Sequence, residues 1–227
     1  MKRLIVFDFD GVLADSEMLA NTVLAEFITE LGVPTTADDS IRLYMGKRYH
    51  EVIAAVEAAV GRPLPAGFAE QFQQRTLSRF RDDLQLVDGA RAYVETFVDV
   101  PRCIASSSSP DRLAMCLELL HLKDLFGPHV FSASLVARGK PHPDIFLFAA
   151  ERMSVDPRSA LVIEDSAGGV QAAVAAGMTV IGLLAASHIR DGHAAQLKAA
   201  GAHHIAATFA EATELTRAWL DEPPAQP

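Results

Sequence analysis

Carboxylates stand at the ends of two apolar segments of the sequence. Asp8 and Asp10 follow an apolar run near the N-terminus, and Glu164 and Asp165 follow another in the second half of the chain. Four carboxylates meeting at one point would repel each other strongly without a cation. Because their hard oxygen ligands have no Cys or His near them in sequence, they favour Mg²⁺. The sequence therefore predicts a magnesium site with these four residues as candidate ligands.

Hydroxyl and ammonium groups occupy two further segment ends and could hold a phosphoryl group. Ser106 and Ser107 end a second apolar run, and Lys140 stands immediately before a helical pattern. Such groups bind phosphate oxygens through side chains and backbone N–H groups. A carboxylate such as Asp8 can attack phosphorus, while Asp10 could protonate the leaving oxygen and later deprotonate the hydrolytic water.

These side chains need a scaffold that brings the segment ends together. Apolar runs alternate with helical patterns, which predicts an α/β fold with a doubly wound parallel sheet. Ligands of such sheets bind at the carboxyl ends of the strands. The predicted strands are 4–10, 102–109, 129–134, 160–166, 178–184 and 203–209, and the predicted helices between them include 111–121, 143–153 and 168–177.

Residues 17–84 break this alternation. They contain no convincing strand, and glycines and prolines separate the predicted helical segments, which are 18–32, 48–61 and 68–83. We expect a helical cap domain inserted after the first strand. The α/β core domain would then comprise residues 1–16 and 85–227.

Composition narrows the class of protein. Half of the residues are hydrophobic and the formal net charge is −9, so a core can form and binding to nucleic acid is not expected. Cys103 and Cys116 lie among apolar neighbours, as buried free thiols in a reducing compartment do. No segment predicts a signal peptide or a membrane span. We expect a soluble, cytoplasmic monomer with no membrane partner.

The four polar motifs resemble, in order, those of the haloacid dehalogenase-like hydrolases. The matching segments are DFDGVLADSE, IASSS, GKPHPDIF and VIEDSAGGVQAAVAAGM. The whole chain resembles the branch that contains β-phosphoglucomutase and phosphoglycolate phosphatase. That resemblance implies a Rossmann-like core, a helical cap after the first motif and dependence on Mg²⁺.

The resemblance also implies individual roles. Asp8 would be the nucleophile, and Asp10 the acid/base, with its backbone carbonyl completing the metal shell. The bond between Lys140 and Pro141 would be cis. The remaining implied roles are phosphate binding by Ser106 and Lys140, and magnesium binding by Asp165 with Glu164 at or beside the ion.

Two functions of this branch stay open. The first is a phosphatase that hydrolyses a small phosphorylated metabolite, such as a sugar phosphate or phosphoglycolate, through an aspartyl-phosphate intermediate. The alternative is a sugar phosphomutase, which would call for His at position 20 and Lys at position 45, where this chain has Ala20 and Met45. Those departures favour hydrolysis. Asp10 argues against the dehalogenase and phosphonate-cleaving members of the superfamily.

The cap supplies three further candidates for binding the substrate. Glu17 follows the first motif directly, Arg48 lies in a basic segment, and Arg75 lies on a predicted cap helix. The histidines at positions 188, 193, 203 and 204 fit no zinc-binding spacing. We interpret them as surface or loop residues.

Overall fold

The computed structural model describes residues 2–45 and 49–222. They form two compact units. One comprises the residues up to 15 together with those from 85 onward, and the other comprises residues 16–84. Among the described residues, no helix has the length and apolar content needed to cross a membrane.

The first unit contains a six-stranded parallel sheet with helices, which confirms the predicted α/β fold class. The sheet order is β3-β2-β1-β4-β5-β6, and every neighbouring pair is parallel. All six predicted strands are present, each shorter than its apolar run. Their bounds are β1 Leu4–Phe7, β2 Arg102–Ser106, β3 Val130–Ser132, β4 Ala160–Glu164, β5 Thr179–Leu183 and β6 His204–Ala206.

Helices connect these strands and make up the second unit. In the second unit they are α1 Glu17–Glu30, α2 Ala37–Tyr44, α3 Tyr49–Val60 and α4 Phe68–Asp83. In the first unit they are α5 Ala90–Thr96, α6 Pro110–Leu119, α7 Lys123–Phe126, α8 Asp144–Met153, α9 Ala167–Ala175, α10 His193–Ala199 and α11 Phe209–Asp221.

Strand β1 lies in the middle of the sheet because it is apolar on both faces. All four of its residues are buried. It pairs with β2 on one side and β4 on the other, with Phe7 opposite Ile104 and Ile163. Residues that follow β1 therefore emerge between the ends of β2 and β4. This register sets the neighbours of Asp8.

The two faces of the sheet bury different side chains. On one face, Val6 and Val162 pack with the apolar residues of α8 and α9. On the other, the ring of Phe7 makes edge contacts with Tyr93 and Phe126. Cys103 and Cys116 are also buried and unbridged, and burial raises the pKa of Cys116 to about 11. Both thiols are core residues, as predicted.

The second unit has an aromatic core of its own. Phe27 of α1 contacts Phe68 and Phe72 of α4 at ring distances of 5.4 and 6.2 Å. Helix α2, which the helical patterning did not predict, begins with a capping box: the Thr36 hydroxyl accepts from the Asp39 N–H, and the Asp39 carboxylate accepts from the Thr36 N–H.

The free energy of unfolding of two variants tests whether β4 lies in the core of the sheet. Leu161→Ala should lower the free energy of unfolding by about 2–5 kcal/mol, because Leu161 is fully buried and the surrounding sheet cannot collapse into the cavity. Leu147→Ala, at a leucine that is 42% exposed on α8, should change it by less than about 0.5 kcal/mol. Urea unfolding followed by circular dichroism measures both. Equal losses in the two variants would contradict this account of the core.

Candidate active site

Three carboxylates meet at the carboxyl ends of β1 and β4. Asp8, Glu164 and Asp165 each offer an oxygen atom, and these atoms all lie within 4.8 Å of one another. All three residues are buried. The Asp8 N–H donates to the Ile163 carbonyl at 3.0 Å, so the chain leaves β1 alongside β4. Three hard oxygen ligands in this arrangement fit a cation such as Mg²⁺.

Lys140 lies among these carboxylates. Its Nζ donates to Asp8 Oδ1 at 2.8 Å and to Glu164 Oε1 at 2.6 Å. The lysine side chain is only 8% exposed, and it extends from the loop before α8. The peptide bond between Lys140 and Pro141 is cis, as the resemblance implied. The structure thus brings together four of the predicted site residues from three separate motifs.

Two glycines lack a side chain at positions where one would overlap with the carboxylates. A methyl group on Gly169 in α9 would overlap with the carboxylate of Glu164, and one on Gly11 would overlap with Asp165 Oδ2. Gly11 also has a φ of 76°, a left-handed conformation that favours glycine. At both positions a side chain would displace a carboxylate of the site.

The charges of the cluster are unbalanced. Burial raises the pKa of Asp8 well above its usual range, the charges of Glu164 and Asp165 raise it further, and Lys140 opposes them. Burial by itself would lower the pKa of Lys140, but the carboxylates of Asp8 and Glu164 outweigh it and hold that pKa above its usual value. With all four groups ionised, three negative charges and one positive charge leave −2. A divalent cation would balance that charge.

The predicted hydroxyl groups lie at the end of β2. Ser106 is buried and its Oγ accepts from the N–H of Ser108 at 3.0 Å. Ser132 Oγ donates to the Ser108 carbonyl at 2.6 Å. Ser107, which lies between Ser106 and Ser108 in the chain, is exposed. These bonds fix the loop that follows β2, next to the end of β1, and phosphate binding by Ser106 and Ser107 stays a prediction.

The side chain of Asp10 lies apart from the three clustered carboxylates. It accepts from Ser108 Oγ at 2.5 Å and forms an ion pair with the guanidinium of Arg112. Sequence reasoning missed Arg112, although its place in the first turn of α6, just after the serine-rich loop, was a usable signal. The structure thus positions the predicted acid/base with an arginine and a hydroxyl.

Two histidines contact Asp165. The sequence analysis did not predict these contacts. His188 does lie in a loop, as predicted, but its side chain is 2% exposed and its Nε2 is 3.1 Å from Asp165 Oδ2. His193 Nε2 lies 2.5 Å from the backbone oxygen of Asp165. The prediction of a loop residue is confirmed for His188, but its burial and its contact with Asp165 were not predicted. Its contact with Asp165 comes from tertiary packing, which spacing along the chain does not reveal.

The predicted cap residues are placed within their own unit. The Arg75 guanidinium pairs with Glu30 at 2.6 and 3.2 Å and covers the ring of Phe27 at 3.9 Å. The hydrogen bond to Glu30 raises the pKa of Arg75. Glu17 is the first residue of α1 and is half-buried. Arg48 lies outside the described residues, and substrate binding by all three stays a prediction.

Comparison with known proteins places this arrangement in a family. The model of the haloacid dehalogenase-like hydrolases matches residues 2–177. The chain is 26% identical to 6-phosphogluconate phosphatase of Escherichia coli K12, over 81% of this chain and 83% of that protein. It is 34% identical to the phosphorylated carbohydrates phosphatase of Thermotoga maritima, over 77% of this chain and 81% of that protein.

A solved structure extends the likeness to the whole chain. It is a haloacid dehalogenase-family hydrolase from Deinococcus radiodurans R1 with bound phosphate and sodium, matched at a TM-score of 0.84 and 30% identity over 99% of both chains. The family match runs from β1 through α9 and includes the first three motifs and all but the last residue of the fourth. The chain therefore belongs to the haloacid dehalogenase-like hydrolase family.

Proposed function

We propose that this protein is a magnesium-dependent phosphatase that hydrolyses a small phosphorylated metabolite, with phosphorylated sugars as the favoured class. The observation that carries the proposal is the buried cluster of Asp8, Glu164 and Asp165 with Lys140 among them. The phosphatases of E. coli and T. maritima support the reaction and the substrate class.

The carboxylates of Asp8, Glu164 and Asp165 would hold the magnesium ion, and the family resemblance adds the backbone carbonyl of Asp10. Their oxygen chemistry and their unbalanced charge both fit a divalent cation. When bound, Mg²⁺ would reduce the repulsion between the Asp8 carboxylate and the negative charge of the phosphate.

Phosphoryl transfer to the enzyme is the first half of the reaction. A carboxylate oxygen of Asp8 attacks phosphorus, and the bond from phosphorus to the leaving oxygen breaks as Asp10 donates a proton to that oxygen. Lys140 and Ser106 hold the phosphoryl oxygens during the transfer. The products are an aspartyl-phosphate at Asp8 and the free alcohol, with Asp10 left as a carboxylate.

Hydrolysis of the aspartyl-phosphate is the second half. Asp10 takes a proton from a water molecule, the water oxygen attacks phosphorus, and the bond between Asp8 and phosphorus breaks. Inorganic phosphate leaves, Asp8 is again a carboxylate and Asp10 is again protonated. Arg112 and Ser108 hold Asp10 in one place for both proton transfers.

Removal of the nucleophile tests the central assignment. Asp8→Asn should lower phosphate release from a panel of phosphorylated metabolites by at least about a thousand-fold, because the amide cannot form the acyl-phosphate. Asp111→Asn, at an exposed residue in the first turn of α6, is the control and should retain activity. The measurement is phosphate release with and without Mg²⁺, together with acid trapping of the phosphorylated enzyme.

Each outcome of that experiment is informative. Release that survives in Asp8→Asn would refute the proposed mechanism. A wild type that releases no phosphate but interconverts isomeric sugar phosphates would establish the phosphomutase instead.

Adjacent glycines in α9 provide a matched test of the metal site. In Gly169→Ala the new methyl group would displace the Glu164 carboxylate, whereas the same change at Gly168 meets no atom within 4 Å. We expect Gly169→Ala to raise the Mg²⁺ concentration for half-maximal activity by about ten-fold or more, and Gly168→Ala to leave it unchanged. Activity is measured against Mg²⁺ concentration. Equal responses of the two variants would contradict the assignment of Glu164 to the site.

The contact between Arg112 and Asp10 predicts that the loss of activity in an Arg112 variant depends on the leaving group of the substrate. Arg112→Leu removes a partner that holds the acid, so kcat/KM for an alkyl phosphate should fall by about ten-fold or more. The loss for 4-nitrophenyl phosphate should be smaller, because its leaving group needs no proton. Arg91→Leu, on α5 and paired with Glu95, is the control. Equal losses on both substrates would show that Arg112 does not act through Asp10.

A further inference from the structure

The carboxylate of Asp165 lies against a buried imidazole. His188 Nε2 is 3.1 Å from Asp165 Oδ2, and the side chains are 2% and 5% exposed. A carboxylate only accepts hydrogen bonds, so this geometry requires the proton of His188 on Nε2. One oxygen of Asp165 is thereby engaged by the protein itself.

A second imidazole holds the backbone of the same residue. His193 Nε2 lies 2.5 Å from the carbonyl oxygen of Asp165. The rings of His188 and His193 are 6.2 Å apart and nearly perpendicular. Both histidines come from the segment that follows β5. This segment therefore contacts Asp165 at its carboxylate and at its backbone.

The loop that carries His188 is itself anchored. The Asp15 carboxylate accepts from Ser187 Oγ at 2.8 Å and from the Ser187 N–H at 3.1 Å. On the other side, a methyl group on Gly11 would lie 2.9 Å from His188 Cε1. His188 is thus enclosed between the turn after β1 and Asp165, so its ring has little room to adopt another orientation.

We propose that His188 is a positioning residue that fixes the Asp165 carboxylate for magnesium binding, an inference that rests on the proposed magnesium site. By holding Oδ2, the imidazole sets the orientation of the carboxylate and leaves Oδ1 for the cation. Hydrogen bonds of this kind to metal ligands typically contribute about 10–100-fold to metal affinity or activity. His188 would then set the affinity for Mg²⁺ without contacting the substrate.

A pair of variants of equal length separates the hydrogen bond from the volume of the ring. His188→Met removes the donor, whereas His188→Gln keeps an N–H at the position of Nε2. Isothermal titration calorimetry with MgCl₂ should show a Kd about ten-fold or more higher for His188→Met, and less than about three-fold higher for His188→Gln. His204→Met, at an exposed histidine of β6, should bind as the wild type does.

Melting temperatures of the metal-free variants show whether each has folded. Unchanged Mg²⁺ binding by a folded His188→Met, or equal losses in the Met and Gln variants, would overturn the proposal for His188 while the metal site stands. A wild type that does not bind Mg²⁺ would overturn both the site and this inference.

Nitrogen-15 spectra of the wild-type histidines test the proposal without any substitution. The Nε2–H tautomer of His188, with a signal that shifts when MgCl₂ is added, is the expected result. A His188 that carries its proton on Nδ1 alone would refute the hydrogen bond to Asp165.

Discussion

Repulsion among buried carboxylates is the constraint on which the rest of this site depends. Asp8, Glu164 and Asp165 could lower their repulsion by moving apart, yet their backbone positions are set by β1 and β4, which pair side by side. One lysine offsets only part of the charge, since it faces three carboxylates. The buried residues of β1 and β4 fix the backbone on which the cluster is placed.

The same excess of negative charge would suit phosphate chemistry only with a bound cation. A dianionic phosphate approaching Asp8 would meet further repulsion unless cations face it. Lys140 contacts Asp8, and in the proposed mechanism its ammonium group would bind an oxygen of the incoming phosphoryl group. Gly11 and Gly169 keep the surrounding backbone close without filling the space of the carboxylates. Charge and space therefore favour the same reaction that the family relationship suggests.

Much of this could be predicted from sequence, and the failures have definite causes. The strands were predictable because strands buried on both faces are continuous apolar runs, and their polar ends predicted Asp8 and Asp165. Lys140 was predicted from its place just before a helical pattern. Helix α2 was missed although Thr36 and Asp39 form a capping box, because its eight residues make only about two turns in which apolar spacing could repeat. Arg112 and His188 were missed for another reason. Each contacts its partner, Asp10 or Asp165, across a fold that local patterns do not describe.

The site has two sides that are supported separately. Arg112 and Ser108, from the segment after β2, hold Asp10, whereas the two imidazoles after β5 hold Asp165. In the proposed mechanism these sides have different roles, since the side chain of Asp10 transfers protons and the side chain of Asp165 binds the cation. A change in one supporting segment can therefore alter proton transfer while leaving metal affinity intact, or the reverse. Neither supporting segment belongs to the helical unit of residues 16–84, so both lie in the same unit of the chain as the carboxylates that they hold.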